Sequence, residues 1–347
     1  MMRFLLPFFD DSTLLFAKRL GGNLVRRGHS VTYCLTLETQ SRLSTRQMKM
    51  LLQEERYVTA ESVISYIRRN EFDAVIAAKV MPSIRLALKN PKYRANTARP
   101  SFIVFQPGLE LTPERGFSLR RLYDAVFLMS TKHAALFRSM YAVKGQHVSY
   151  GHPSFSWPAA SVNTDTGHIV FFAQAISPAT LESRLHILKM LNAMAKRYSH
   201  RNVVIKLRHL PDENARHVHR EEYPYPVLAR DYVDDLAQNL SFFSGTMEEV
   251  LSNTGYAITC TSTAAMDSLA AGVPTAVYLD FTEFYLDKLT RPMHNEFAES
   301  NIIASLEDIL HLRAEQVSKK WMANYFRGDD LYEELEEAVL RKQSALC

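Results

Sequence analysis

The stretch GYAITCTSTAAMDSLAAGVPTAVYLD, residues Gly255 to Asp280, decides how this chain is to be read. An apolar strand, Tyr256–Cys260, runs into the polar turn Thr261-Ser262-Thr263, then into a helix of small residues. A second apolar strand opens after Val273-Pro274. The hydroxyls and backbone N–H groups of such a turn stand at a helix start, where unpaired donors and the helix dipole favour an anion. Ala264, Ala265, Ala270 and Ala271 let the helix lie close to a sheet, and Gly272 supplies its stop. Ser262 also has a plainer role open to it, as the cap that any such helix needs. The unit as a whole belongs to a parallel α/β sheet whose turn suits a phosphate.

The 347 residues, 47% hydrophobic and 22% charged, have an ordinary globular composition and suffice for two domains. A formal charge of +4 argues against a dedicated DNA-binding protein and leaves room for an anionic substrate or a peripheral contact with the inner membrane. Cys34, Cys260 and Cys347 have neither metal-site spacing nor a disulfide pattern, which fits a reducing cytoplasm. The opening MMRFLLPFF is too short for a signal peptide, has no cleavage site and stops at Asp10-Asp11, so it reads as a first core strand. No segment approaches the roughly twenty apolar residues that span a bilayer.

Outward from the decisive stretch the same rhythm recurs. Strands are expected at Arg3–Phe9, Ser30–Leu35, Ala74–Ala78, Phe102–Phe105, Ala125–Met129 and His147–Tyr150, with helices at Ser12–Arg27 and Thr131–Tyr141 and a charged helical region up to Arg69. Gly151-His152-Pro153, Trp157-Pro158 and the polar run Ser161–Gly167 read as a linker. The pattern restarts with strand Ile169–Ala173, helix Thr180–Tyr198, strands Val203–Leu207 and Leu240–Phe243, and helix Met247–Ser252. Helices near Leu306–Leu310, Glu315–Tyr325 and Leu331–Lys342 close the chain. The expected organisation is an α/β protein of two doubly wound, Rossmann-like domains facing a central cleft. These are residues 1–158 and 159–325, with 326–347 a helix across the junction.

Candidate chemistry sits at strand ends. Phe171-Phe172-Ala173-Gln174 delivers an amide that suits a base edge. Val203 to Pro211, VVIKLRHLP, brings Lys206, Arg208 and His209 to the end of an apolar strand, a pattern that favours an anion. In the first half, Phe105-Gln106-Pro107-Gly108-Leu109-Glu110 puts Gly108 and a carboxylate just past a strand. Glu110 is the leading general base and Glu114 the next. Asp10, which also suits a helix cap, and His152 in the linker are further cleft candidates. His217, His219, Glu221 and Glu222 match no familiar metal spacing, and Tyr223-Pro224-Tyr225-Pro226 reads as an extended crossover. There is no GxSxG, P-loop or GxGxxG.

Taken together, the two units, the linker and the motif from Cys260 to Pro274 resemble the GT-B glycosyltransferases. Within that group Lys206-Leu207-Arg208-His209-Leu210-Pro211 is similar to the Lys-x-His-Pro phosphate motif of bacterial sialyltransferases and capsule polymerases, with Ser262 and Thr263 matching their Ser/Thr-rich turn. An arginine stands where the family has histidine, and Leu210 separates His209 from Pro211, so the phosphate role could fall to Arg208 or His209. Glu110 matches the family's base by position in the fold; its glycine precedes the carboxylate. A Pro-Gly-x-Glu loop and a Lys-Leu-Arg-x-x-Pro segment also occur in capsule-associated sialyltransferases. The resemblance implies a metal-independent transfer of sialic acid from CMP-sialic acid to a glycan hydroxyl in bacterial surface polysaccharide synthesis. Implied partners are a nucleotide-sugar donor and a glycan acceptor, not nucleic acid. The alternatives are a UDP-sugar or polyol-phosphate transferase, a sugar-nucleotide epimerase, or a non-catalytic glycan- or nucleotide-binding protein.

Overall fold

The computed structural model describes residues 1–38, 43, 48–49, 56–110, 113–141, 145–156, 166–216, 220–283 and 285–344. The proposed linker core, Trp157-Pro158 and most of Ser161–Gly167, lies outside them, as do His217 and His219. The chain divides into two compact units, Met1–Ser156 with Ala323–Cys347, and Trp157–Met322.

In the first unit seven strands form one sheet: β1 (Arg3–Phe8), β2 (Ser30–Thr36), β3 (Tyr57–Ala60), β4 (Ala74–Ala77), β5 (Ser101–Phe105), β6 (Ala125–Leu128) and β7 (His147–Tyr150). Their order is β3-β2-β1-β4-β5-β6-β7 and every neighbouring pair is parallel. In the second unit β8 (His168–Phe172), β9 (Val203–Lys206), β10 (Leu240–Phe243), β11 (Thr254–Thr259) and β12 (Thr275–Val277) form a parallel sheet of order β10-β9-β8-β11-β12. Parallel neighbours need crossovers, and crossover helices cover both faces. The strands accordingly carry apolar residues on both sides: β4, β5, β6 and β9 are buried throughout. Each unit is thus a doubly wound, Rossmann-like domain, two in one chain.

Strand order reverses between β1 and β4 in the first sheet and between β8 and β11 in the second. At such a reversal two loops diverge at the carboxyl edge and leave a crevice that ligands use.

Some local readings change. The charged region before Arg69 contains the edge strand β3 and the short helix Val63–Ile67, capped by Ser62. Tyr223–Pro226 does not stay extended: Pro224 caps a helix, Tyr225–Tyr232, because a proline ring blocks a preceding turn yet suits a helix start. The helices Pro82–Lys89, Pro91–Ala95 and Pro113–Arg120 each begin at a proline. Gly272, at φ +73°, ends the helix Ala264–Ala270 in the left-handed region that favours glycine.

The segment read as a helix across the junction belongs to the first unit. Helix Asp330–Ser344 buries Leu331, Leu335, Ala338 and Val339 in the same core as Phe4, Leu6, Phe105 and Phe127. Polar clasps hold it there. Glu334 accepts from Ser149 Oγ at 2.6 Å, pairs with Arg327 and stands 3.0 Å from His147 Nε2. Glu336 pairs with Arg27 and His29. Burial opposes the charge of Glu334, but His147, Ser149 and Arg327 outweigh it and bring its pKa down to about 2.

Leu335→Ala is expected to destabilise the first unit by about 2–5 kcal/mol, whereas Leu340→Ala, at an exposed position, should change stability by less than about 0.5 kcal/mol; urea unfolding measures both. The depressed pKa of Glu334 means that its stabilisation is complete above its usual value of 4.5 and fades as the pH falls towards 2. Acid unfolding of Glu334→Gln should therefore be flatter than that of the parent through this window.

Candidate functional site

At the switch point of the second sheet the loops after β8 and β11 are tied together. Gln174 Nε2 donates to the Thr261 carbonyl at 2.7 Å, and Thr261 Oγ1 donates to Gln174 Oε1 at 2.6 Å. Both ends of the Gln174 amide thus have protein partners. The loop is anchored from below by Arg184, which is fully buried on helix Leu181–Arg197. Its guanidinium donates to the carbonyls of Gln174 and Ala175 at 2.7 Å, of Pro178 at 2.8 Å and of Tyr223 at 3.1 Å. It also pairs with Glu221 and lies 5.1 Å from the Tyr225 ring centroid. Burial pushes Glu221 above the usual carboxylate range against the pull of Arg184.

The turn that opened the sequence reading is half-exposed at Ser262 and Thr263. Thr263 is the N-cap of helix Ala264–Ala270 and Ser262 closes the turn before it: Ala264 N–H donates to Ser262 Oγ at 3.1 Å and Ala265 N–H to the Ser262 carbonyl at 3.3 Å, while Met266 N–H reaches the Thr263 carbonyl at 2.9 Å. The first N–H groups of this helix are therefore engaged within the turn itself. The cation cluster after β9 is also dispersed. Lys206 is buried, its Nζ 2.7 Å from the Leu207 carbonyl, and His209 is buried with Nε2 3.2 Å from Asn214 Oδ1; Arg208 alone of the three stays partly exposed.

Beside the switch point, between the start of helix Leu181–Arg197 and the loop after β12, lies a groove of about 770 Å³. Thr180, Glu182, His186, Asp280, Thr282 and Glu283 line it, with Phe281 and Leu286 as apolar walls. His186 Nε2 is 2.8 Å from the Tyr278 hydroxyl, and burial lowers its pKa. Three carboxylates, an imidazole and the hydroxyls of Thr180, Ser183 and Thr282 make this a surface for a ligand rich in hydroxyl groups.

The first unit's switch point holds Asp10 and Lys79. Asp10 caps helix Asp11–Arg26 through Thr13 N–H at 2.8 Å and receives Lys79 Nζ at 2.6 Å; Lys79 also lies 3.1 Å from Ser12 Oγ. Burial opposes the Asp10 charge, but Lys79 and Thr13 outweigh it and its pKa is lowered. Glu110 is held by Arg120, whose Nη1 and Nη2 each meet one carboxylate oxygen. Gly116 makes that pair fit: a Cβ there would collide with Arg120 and Glu110. Gly108 accepts from Gln106 Nε2 at 3.0 Å, and the same Gln106 takes Met129 N–H at 3.1 Å. Glu114 is exposed in the first turn of Pro113–Arg120. His152 is buried between Phe16 and Phe155, takes Ser154 N–H on Nδ1 at 3.2 Å, and is pushed down to about 3 by burial, with Arg19 adding to the shift. It is a neutral core ring.

Sequence reasoning missed Lys79, Arg184, His186 and the carboxylates Glu182, Asp280 and Glu283. Lys79 stood two residues beyond an apolar strand and could have been found by the rule that exposed Gln174. Arg184 and His186 looked like ordinary residues of an amphipathic helix.

The profile of the family described as "Putative glycosyltransferase (DUF6716)" matches residues 10–341. The chain belongs to this family. No curated protein matches it by sequence. Among solved structures, a UDP-N-acetylglucosamine 2-epimerase aligns at a TM-score of 0.62 with 9% identity over 99% of this chain and 96% of its own. The UDP-GlcNAc 2-epimerase of Neisseria meningitidis, bound to UDP-GlcNAc, gives 0.57 and 13% over 97% of this chain and 100% of its own. An alpha-glucosyltransferase in complex with UDP and a DNA 13-mer gives 0.51 and 11% over 98% of this chain and 100% of its own. At these identities the likeness establishes the fold alone, while the family supports glycosyltransferase activity.

Arg184→Met should destabilise the second unit by about 3–5 kcal/mol, because it strands the buried Glu221. Removing both charges with Arg184→Met and Glu221→Leu should recover part of that loss, as read by urea unfolding.

Proposed function

We propose that this protein is a glycosyltransferase that holds a nucleotide-sugar donor in its second unit, with the sugar in the groove between Glu182 and Glu283. The observation that carries the reading is the lining of that groove at the carboxyl edge of the sheet, beside the β8/β11 reversal. Carboxylates accept hydrogen bonds from sugar hydroxyls, and Phe281 offers an apolar face. The phosphate is assigned to the loops after β11 and β9 at the same carboxyl edge, with the half-exposed Thr263 and Arg208 as its contacts. The acceptor oxygen attacks the anomeric carbon, the bond from that carbon to the phosphate oxygen breaks, and the phosphate departs with the electron pair.

The acceptor's proton needs a base. Of the carboxylates following the first sheet's strands, Asp10 is bound to Lys79 and Glu110 to Arg120, Glu38 accepts from Val63 N–H and from Ser83, and the exposed Glu61 follows β3 at the sheet's edge. We assign the role to Glu114, whose carboxylate is exposed, and give Glu110 the positioning of its loop through Arg120.

An acid-lined groove favours a neutral, hydroxyl-rich sugar over sialic acid, whose own carboxylate it would repel. CMP-sialic acid is the second reading, favoured by the Lys206–Pro211 segment. Calorimetry with CMP, UDP, GDP and CDP, and with sugar conjugates of whichever binds, separates the two. The expected result is tighter binding of a neutral nucleotide sugar than of its free nucleotide, with Asp280→Asn and Glu283→Gln together removing about tenfold or more of the sugar-dependent affinity and leaving the free nucleotide unaffected. Selective CMP-sialic acid binding establishes the second reading, and no nucleotide binding overturns both. With donor and acceptor in hand, Glu114→Gln should lower kcat by about 10²–10⁴-fold at unchanged donor affinity; the same loss from Glu110→Gln alone reverses the assignment of the base.

A further inference from the structure

Between Asp73 and Glu110 the chain has no acidic residue, although it holds 37 among 347. Six cations fall in that interval, Lys79, Arg85, Lys89, Lys92, Arg94 and Arg99, exceeding the net +4 of the whole chain. Two are committed, Lys79 to Asp10 and Arg99 to Asp124. The other four are exposed, and among the described residues none makes an ion pair; exposed Arg121 is in the same position.

Helix Pro82–Lys89 orders these charges. Ile84 and Leu88 face the core, which leaves Pro82, Arg85, Leu86 and Lys89 as an outward stripe at helical spacing. Leu86 is 71% exposed at its centre. The stripe borders a groove of about 320 Å³ closed by Val80 and Leu119. A second groove of about 700 Å³ lies at the amino ends of β6 and β7, with Arg94 and Arg121 on its wall. Exposed cations flanking an exposed leucine meet an anionic interface in which phosphates are paired and an apolar side chain leaves water.

We propose that the face built by Pro82–Lys89 and Pro91–Ala95 docks the first unit on a membrane carrying anionic lipid, with Leu86 at the acyl boundary and Arg85, Lys89, Lys92 and Arg94 on the headgroups. Charge complementarity selects the occupant. Single-stranded RNA would need exposed aromatic rings for its bases, and the aromatic residue of this face, Tyr93, packs on Phe102 and Arg99 instead. Among the described residues no helix is long and apolar enough to cross a membrane, so attachment through this face is peripheral.

Co-sedimentation of the full chain with phosphatidylcholine vesicles, with and without phosphatidylglycerol, tests the proposal without any turnover measurement and so independently of the donor. The expected result is binding to the anionic vesicles alone, falling as salt rises. Arg85→Glu with Lys89→Glu should reduce partitioning by about tenfold or more, and the charge-neutral Leu86→Ser by roughly fivefold. Lys189→Glu with Lys319→Glu, an equal change in net charge on exposed sites of the second unit, should leave it unchanged. Thermal unfolding like that of the parent confirms that the surface variants fold. The proposal is overturned by absence of sedimentation, by equal binding to neutral vesicles, by an equal loss in the control pair, or by displacement from vesicles by an RNA that binds more tightly.

Discussion

Parallel pairing is the constraint on which the rest of this structure depends. A parallel strand cannot be followed by a hairpin partner, so the chain must cross over to the far end of the sheet each time, and the crossovers bury both faces. Every strand therefore ends at the same edge, and every loop that leaves that edge is free to vary. Both sheets start in the middle and reverse direction once, at β1/β4 and at β8/β11. Polar and charged groups collect where the loops diverge: Asp10 with Lys79 in the first unit, Gln174 with Thr261 in the second.

The two crevices are held open by different means. In the second unit a buried arginine does it, with Arg184 taking loop carbonyls from Gln174, Ala175, Pro178 and Tyr223 and a compensating charge from Glu221. A guanidinium suits this because its donors radiate in one plane and stay charged when buried. The loop after β8 is thereby fixed by contacts beneath it, and Thr180, where it meets the next helix, lines the groove. In the first unit the carboxylates following the strands are themselves the fixings, with Asp10, Glu38 and Glu110 each engaged by a cation, a hydroxyl or backbone donors.

The strands were legible in the sequence because each is a short apolar run bounded by turns. Ser30, Leu240 and Phe243 begin or end strands where the pattern put them, and helix Thr131–Tyr141 has the limits expected of it. The segment Tyr57–Ala60 was not legible as a strand, since β3 lies at an edge, half of it exposed, and lacks the unbroken apolar run of the central strands. Nor was the helix at Tyr225, where proline reads equally well as an interruption or a start. The candidate site was harder still. Lys206 and His209 are cations on paper, but burial of the strand end turns one to a backbone carbonyl and the other to Asn214.

The sequence by itself determined the α/β class, the two units and the edge at which polar residues gather, because hydrophobic period and turn residues are local properties of the chain. Only the tertiary structure decided which of those polar residues are spent. Glu110 meets an arginine ten positions away because Gly116 leaves room for it, Ser262 turns back on its own helix, and Asp280 joins Glu182 across nearly a hundred residues of chain. Partnership of that kind depends on distance in space, and spacing along the chain carries no record of it.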